Sequence, residues 1–168
     1  MNLKLLGGIP TLAFFALFSQ GSSAAVWTES IPVQCRAEIG NKLKDWRPLK
    51  VTSEVRALAK EQRCNPVVAK GDFDGDGHED TAVLGTSGGA TVLTICLNRA
   101  NKPTLHIIRK PYCDDSVETA KREGKHLNVE TGRLERLKYD GVSVSCFERA
   151  SATYVWNGTT FLLIPDSD

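Results

Sequence analysis

At 168 residues with 41% hydrophobic content, the chain is long enough to bury one modest core, and its composition is neither collagen-like nor that of a disordered segment. Lysine plus arginine total 21 against 20 aspartate plus glutamate. That balance argues against a nucleic-acid partner, which is normally met by a basic face.

Lys4 precedes an apolar run from Leu5 to Phe18, interrupted by Pro10, and Ser22-Ser23-Ala24-Ala25 supplies small residues for cleavage. This is the pattern of a secretory signal over residues 1–24, with 25–168 as one mature domain in the periplasm or secreted. Cleavage removes Lys4 alone among the charged groups and leaves 20 basic against 20 acidic residues. No later run is apolar for long enough to span a bilayer.

The cysteines are Cys35, Cys64, Cys96, Cys113 and Cys146, without a CxxC or zinc-like spacing. In an oxidising compartment they predict two disulfides and one leftover thiol, the latter a small buried hydrophobe. Spacing does not select the pairs. Cys35 with Cys64 is favoured because both flank one helical segment.

A helical cap is expected over residues 31–63. Ser30 stands ahead of Cys35, Ile39, Leu43 and Trp46, with Pro32 in the first turn, which predicts a capped amphipathic helix ending near Arg47-Pro48. Ser53 opens a second, shorter helix with Val55, Leu58 and Ala59 on one face, stopped by Asn65-Pro66. Trp46 reads as a core plug between helix and sheet.

From residue 66 to 168 the pattern is β. A short strand ending at Ala69 leads into Gly71-Asp72-Phe73-Asp74-Gly75-Asp76-Gly77-His78-Glu79-Asp80. Carboxylates this dense repel one another unless a cation sits among them. All-oxygen ligands suit Ca²⁺ better than Mg²⁺, which keeps its waters, or Zn²⁺, which prefers nitrogen and sulfur. The spacing assigns side-chain oxygens to Asp72, Asp74 and Asp76, a backbone carbonyl to His78, and a direct or water-bridged carboxylate to Asp80, with Gly75 and Gly77 allowing the turns. An EF-hand would need a bidentate Glu where Val83 stands, and a helix in front.

Strand, GDFDGDGxxD, strand resembles the FG-GAP or VCBS type of repeat found in integrin propellers and many secreted bacterial proteins. The likeness covers Val67 to Leu97 and is carried by Asp72, Asp74, Asp76, Gly77 and Asp80. It implies a structural calcium ion that staples a β-hairpin. One such loop, with no internal repeat, is too little for a closed propeller.

Further strands are expected at Thr81 to Leu84, Thr91 to Leu97 after a Gly88-Gly89 turn, and Thr104 to Arg109, with His106 at a surface or edge. Pro111 to Lys125 reads as a long polar loop, with at most one helical turn at Val117 to Arg122. Two tight hairpins are then expected, about Asp140-Gly141 and about Asn157-Gly158. Tyr154, Trp156 and Phe161 form an aromatic strip on the last of them, read as cross-strand packing or as a platform for sugar rings. Tyr139-Asp140-Gly141, Tyr154, Trp156-Asn157-Gly158 and Phe161 complete a likeness to small exported bacterial proteins of the same class.

Gly85-Thr86-Ser87-Gly88-Gly89 satisfies G-x-S-x-G, and Asp114, Asp115 and His126 follow in hydrolase order. A strand rather than a helix is expected after Ser87, which argues against a nucleophile elbow. The sequence therefore predicts an α+β domain, mainly antiparallel sheet with two short N-terminal helices. Its expected role is a non-catalytic, calcium-bound interaction module for a protein or a cell-envelope glycan. The alternative is a small secreted hydrolase.

Overall fold

The computed structural model describes residues 29–99, 102–128, 132–146 and 149–165. The expected signal segment, residues 1–24, lies outside them. Mainly antiparallel sheet with two helices is what the described residues form, and no helix among them is long and apolar enough to cross a membrane.

Helix α1 (Val33–Lys42) buries Cys35 and Ile39, and with Ile31 and Leu43 these make a stripe at four-residue spacing. Two expectations fail here. Ser30 does not cap α1, because its hydroxyl accepts from Asn65 Nδ2 at 3.1 Å and Pro32 stands at the N-cap. The helix also stops at Lys42, short of Arg47-Pro48, with Leu43 already out of helical backbone. Arg47–Pro48 instead forms β1, paired with Thr86 and Gly85. Helix α2 (Ser53–Glu61) begins one residue after its cap, Thr52, whose hydroxyl accepts from Val55 N at 3.3 Å.

The first sheet is built on β3 (Asp80–Ser87) and β4 (Ala90–Leu97), joined by a two-residue turn in which Gly88 and Gly89 have φ of 60° and 74°. Strands β2 (Val68–Gly71) and β1 share the far side of β3, and β5 (Thr104–Arg109) completes five strands beyond β4. Alternation separates the two faces. Cys96 points to α1, to which a Cys35–Cys96 disulfide ties it. On the same face a Cβ at Gly85 would collide with the Trp46 indole, so only glycine fits beneath that plug. Ile95 and its neighbour His106 point the other way, toward the second sheet.

That sheet runs β11 (Phe161–Pro165), β10 (Ala150–Trp156), β9 (Gly141–Cys146), β6 (Ser116–Ala120). Strand β6 lies in the segment expected to be a loop, where its short alternation is hidden among charges. It also joins the two sheets, because Val117 N donates to Pro66 O at 2.9 Å and Thr119 Oγ1 to Lys70 O at 2.7 Å. The hairpin expected about Asp140-Gly141 does not form. β8 (Arg133–Arg136) pairs with β7 (Lys125–Asn128), and β9 pairs with β6 and β10. The last hairpin is as expected in its strands, but its connection is four residues, 157–160. There Asn157 Oδ1 accepts from Thr159 N and Thr160 N, each at 2.9 Å.

The disulfides are Cys35–Cys96 and Cys113–Cys146, and the thiol left over is Cys64, exposed just past α2. Cys35 therefore reaches across to the sheet instead of along its own helical segment, and the odd cysteine is not in the core. Bonds of this kind form in oxidising compartments. Closing a separation of 61 residues stabilises by about 4 kcal/mol on the chain-entropy account. One contiguous core joins both helices and both sheets, and its largest fully buried side chain is Phe73.

Phe73→Ala is expected to cost about 3–5 kcal/mol in urea unfolding; a loss under 1 kcal/mol would show that the loop is not anchored in the core. Alkylation of the folded, unreduced chain should label Cys64 and no other cysteine, read by peptide mass mapping.

Candidate metal centre and adjoining aromatic cluster

The acidic loop connects β2 to β3 and is pinned at its ends before it turns. Phe73, a single apolar residue among aspartates, sinks into the core. Asp80, 1% exposed at the start of β3, accepts from Phe73 N at 2.8 Å through one oxygen and from Asn98 N at 2.7 Å through the other. Between these anchors the aspartates fold the backbone onto themselves in Asx turns. Asp72 accepts from Gly75 N at 2.8 Å and Gly77 N at 3.3 Å, Asp74 from Asp76 N at 3.3 Å, and Asp76 from His78 N at 2.8 Å. Gly75 and Gly77 take φ of 79° and 85°, the left-handed region that glycine adopts without strain.

Of the five residues expected as ligands, Asp72, Asp74 and Asp80 converge, each offering one oxygen within 4.8 Å of the others. Asp76 is not in that group. Its Oδ1 is occupied by His78, both by the backbone N and by ring Nδ1 at 3.2 Å. Oxygens held about 2.4 Å from one ion lie at most about 4.8 Å apart, a limit that these three meet pairwise. The donor set is carboxylate only, which suits a hard cation and not zinc.

The charge balance points the same way. Two carboxylates about 4–5 Å apart repel by roughly 3–4 kcal/mol at an effective dielectric near 20. Arg99 offsets one of them, its Nε 3.0 Å from Asp74 Oδ2, where the Asp74 side chain is 4% exposed. The group keeps two negative charges, the complement of one divalent ion. Burial pushes the Asp80 carboxyl up to about 6, and Asp74 and Asp76 add to this against the two amides that it accepts from.

Two residues that the sequence placed outside the ligand set hold the loop from the side. Asp140, expected in a hairpin turn, accepts from Asp72 N at 3.4 Å, Lys121 Nζ at 2.9 Å and Arg122 N at 3.1 Å. Burial would raise its carboxyl, but Lys121 and these amides outweigh it and hold it below the usual carboxylate range. Tyr139 lies against Gly75 so closely that a Cβ there would overlap the ring.

Arg99 also leads to the aromatic strip, its guanidinium 5.6 Å from the Trp156 ring centroid. Trp156 and Phe161 are 5.1 Å apart, and His106 stands edge-on to both at 5.1 and 5.5 Å. His106 thus sits on an edge strand, as expected, but half-buried, with its ring turned to the second sheet and not to solvent. Its Nε2 is buried without a partner, and burial and Arg99 lower its proton affinity against the pull of Asp74. Tyr154 shares the face of β10 that carries Trp156. It is 6% exposed and its hydroxyl accepts from Tyr112 N at 3.1 Å, which makes it a core residue. Trp156 and Phe161 remain half-buried.

Among the described hydrolase-like residues, Ser87 and Asp114 each hold a different partner. Ser87 ends a strand and is followed by a turn into another, and its hydroxyl donates to Asp45 Oδ1 at 2.7 Å. Asp114 accepts from Thr91 Oγ1 at 3.1 Å, and the His126 side chain lies outside what is described. No protein-family model matches the chain, and neither a curated protein nor a solved structure does.

An acid whose folded pKa lies above its unfolded value of about 3.8 stabilises the fold in its protonated form, and that contribution disappears as pH rises through about 6. Metal-free protein should therefore lose stability relative to Asp80→Asn between pH 4 and 7, read as the difference in urea midpoints. Excess calcium should reverse the trend, because the ion takes the ionised carboxylate.

Proposed function

We propose that this chain is an exported, calcium-binding, non-catalytic domain that acts as an interaction module for a protein or an envelope glycan. The observation that carries this is the convergence of Asp72, Asp74 and Asp80, offset among the described residues by the cation of Arg99. A divalent ion there would hold β2 and β3 together at the end where Phe73 and Asp80 already anchor the loop, so its role is structural. Asp76 and the His78 carbonyl complete the ligand set in this reading, which requires the Asp76 side chain to leave His78. The likeness to an FG-GAP or VCBS repeat belongs to the same proposal.

Export, to the periplasm or beyond the cell, is supported by the two disulfides and by the signal pattern of residues 1–24. The non-catalytic reading is supported by Ser87, whose hydroxyl is held by Asp45 at a strand-turn-strand junction and not at a strand-to-helix elbow.

Calcium at about a hundred times its Kd adds about 2.7 kcal/mol to stability. The melting temperature should therefore rise by about 5–10 °C between excess chelator and excess calcium, and Asp74→Asn should remove most of that difference. Identical melting curves in the two conditions would reduce the loop to a turn.

A further inference from the structure

We propose that the cleft between residues 135–140 and the end of β10 binds one sugar ring bearing a carboxylate. This rests on the reading of the domain as an interaction module and names the ligand class of that module. The cleft has a volume of about 150 Å³. With a water's share of liquid at about 30 Å³, that is room for about five waters, which suits a single six-membered ring.

Its lining has the two parts that such a ligand needs. Leu137, Tyr139, Val155, Trp156 and Ile164 are half-buried, so an apolar surface with two aromatic side chains faces the cleft. The C–H face of a sugar ring packs on such rings while its hydroxyls keep to the open side. Arg136 and Lys138 stand exposed at the rim, the Lys138 ammonium 4.9 Å from the Tyr139 ring centroid. Two acids also line it. Asp140 is committed to Lys121, Arg122 and Asp72, and with Glu135 the only other acid in the lining, the two rim cations outnumber it. A carboxylate on the ring meets that excess of positive charge.

Both aromatic walls are fixed to the acidic loop from behind. Tyr139 rests on Gly75, and Trp156 lies under Arg99, which holds Asp74. The walls are therefore placed before a ligand arrives, which lowers the ordering cost of binding. A neutral sugar would gain the walls without the cations, and a simple carboxylate the cations without the walls.

Saturation-transfer NMR on the mature chain in calcium, with D-glucuronate, D-glucose, acetate and phenylacetate as probes, tests this. Saturable glucuronate binding is expected, at least tenfold tighter than glucose or acetate. It should be weakened at least tenfold by Arg136→Gln with Lys138→Gln and abolished by Trp156→Ala. Should Trp156→Ala fail to fold, Trp156→Phe, which keeps an aromatic wall, should retain weakened binding. No glucuronate binding, or binding that ignores the loss of both rim cations, overturns the proposal. Tighter binding of phenylacetate also overturns it, in favour of an aromatic side chain of a protein partner. The calcium melts contain no sugar and report on the metal separately. Glucuronate binding by a protein whose melting ignores calcium leaves the cleft standing and removes the ion.

Discussion

The buried Asp80 carboxylate is the constraint around which the β-rich part is arranged. Through one oxygen it holds Phe73 N, and so the loop, and through the other Asn98 N, where the chain leaves β4. A single side chain thereby fixes the end of β2, the start of β3 and the end of β4 at one point. The cost is a negative charge in a place with little water, next to Asp74. A protonated carboxyl or a bound cation relieves that cost, and near neutral pH the cation is the stronger means.

Around this point the molecule has placed partial substitutes for a cation. Arg99 sits on Asp74, Lys121 on Asp140, and backbone amides turn inward to Asp72. Arg99 contributes twice, since the same guanidinium covers Trp156 on the opposite sheet. The acidic loop and the aromatic cluster are thus one mechanical unit, linked through a side chain that belongs to neither β-hairpin.

Much of the local structure was legible in the sequence. The Asp and Gly spacing, the alternation in β4 and β5 and the stripe of α1 are periodic signals, and the Gly88-Gly89 turn is a strong local one. What could not be read were choices made at long range. Arg133–Arg136 has the letters of a strand but pairs with β7, while the Asp140 side chain goes to the Asp72 amide and closes no hairpin turn. Cys35 meets Cys96 because alternation along β4 aims that sulfur at α1, and no spacing encodes this. Arg99 carries no motif, and the Tyr139-Asp140-Gly141 motif does not say that its ring meets Gly75. Phe73 does carry a signal, a lone apolar side chain in an acidic loop, and it reads as an anchor once the loop is known to close. Within the candidate centre, Asp72, Asp74 and Asp80 were foreseen together, whereas Asp76 and His78 face each other. Of the three aromatics on that face, Tyr154 is the buried one, its hydroxyl taken by a backbone amide.

The connectivity of the cross-links bears on how the chain is oxidised. Cys64 lies between Cys35 and Cys96 in sequence, so a chain whose thiols became available in order would join Cys35 to Cys64 first and strand Cys96. Reaching the native arrangement then requires a thiol–disulfide reshuffle in which Cys96 displaces Cys64. The exposed sulfur just past α2 is the leaving group of that step, and a redox partner able to isomerise disulfides would serve this chain better than one that only makes them.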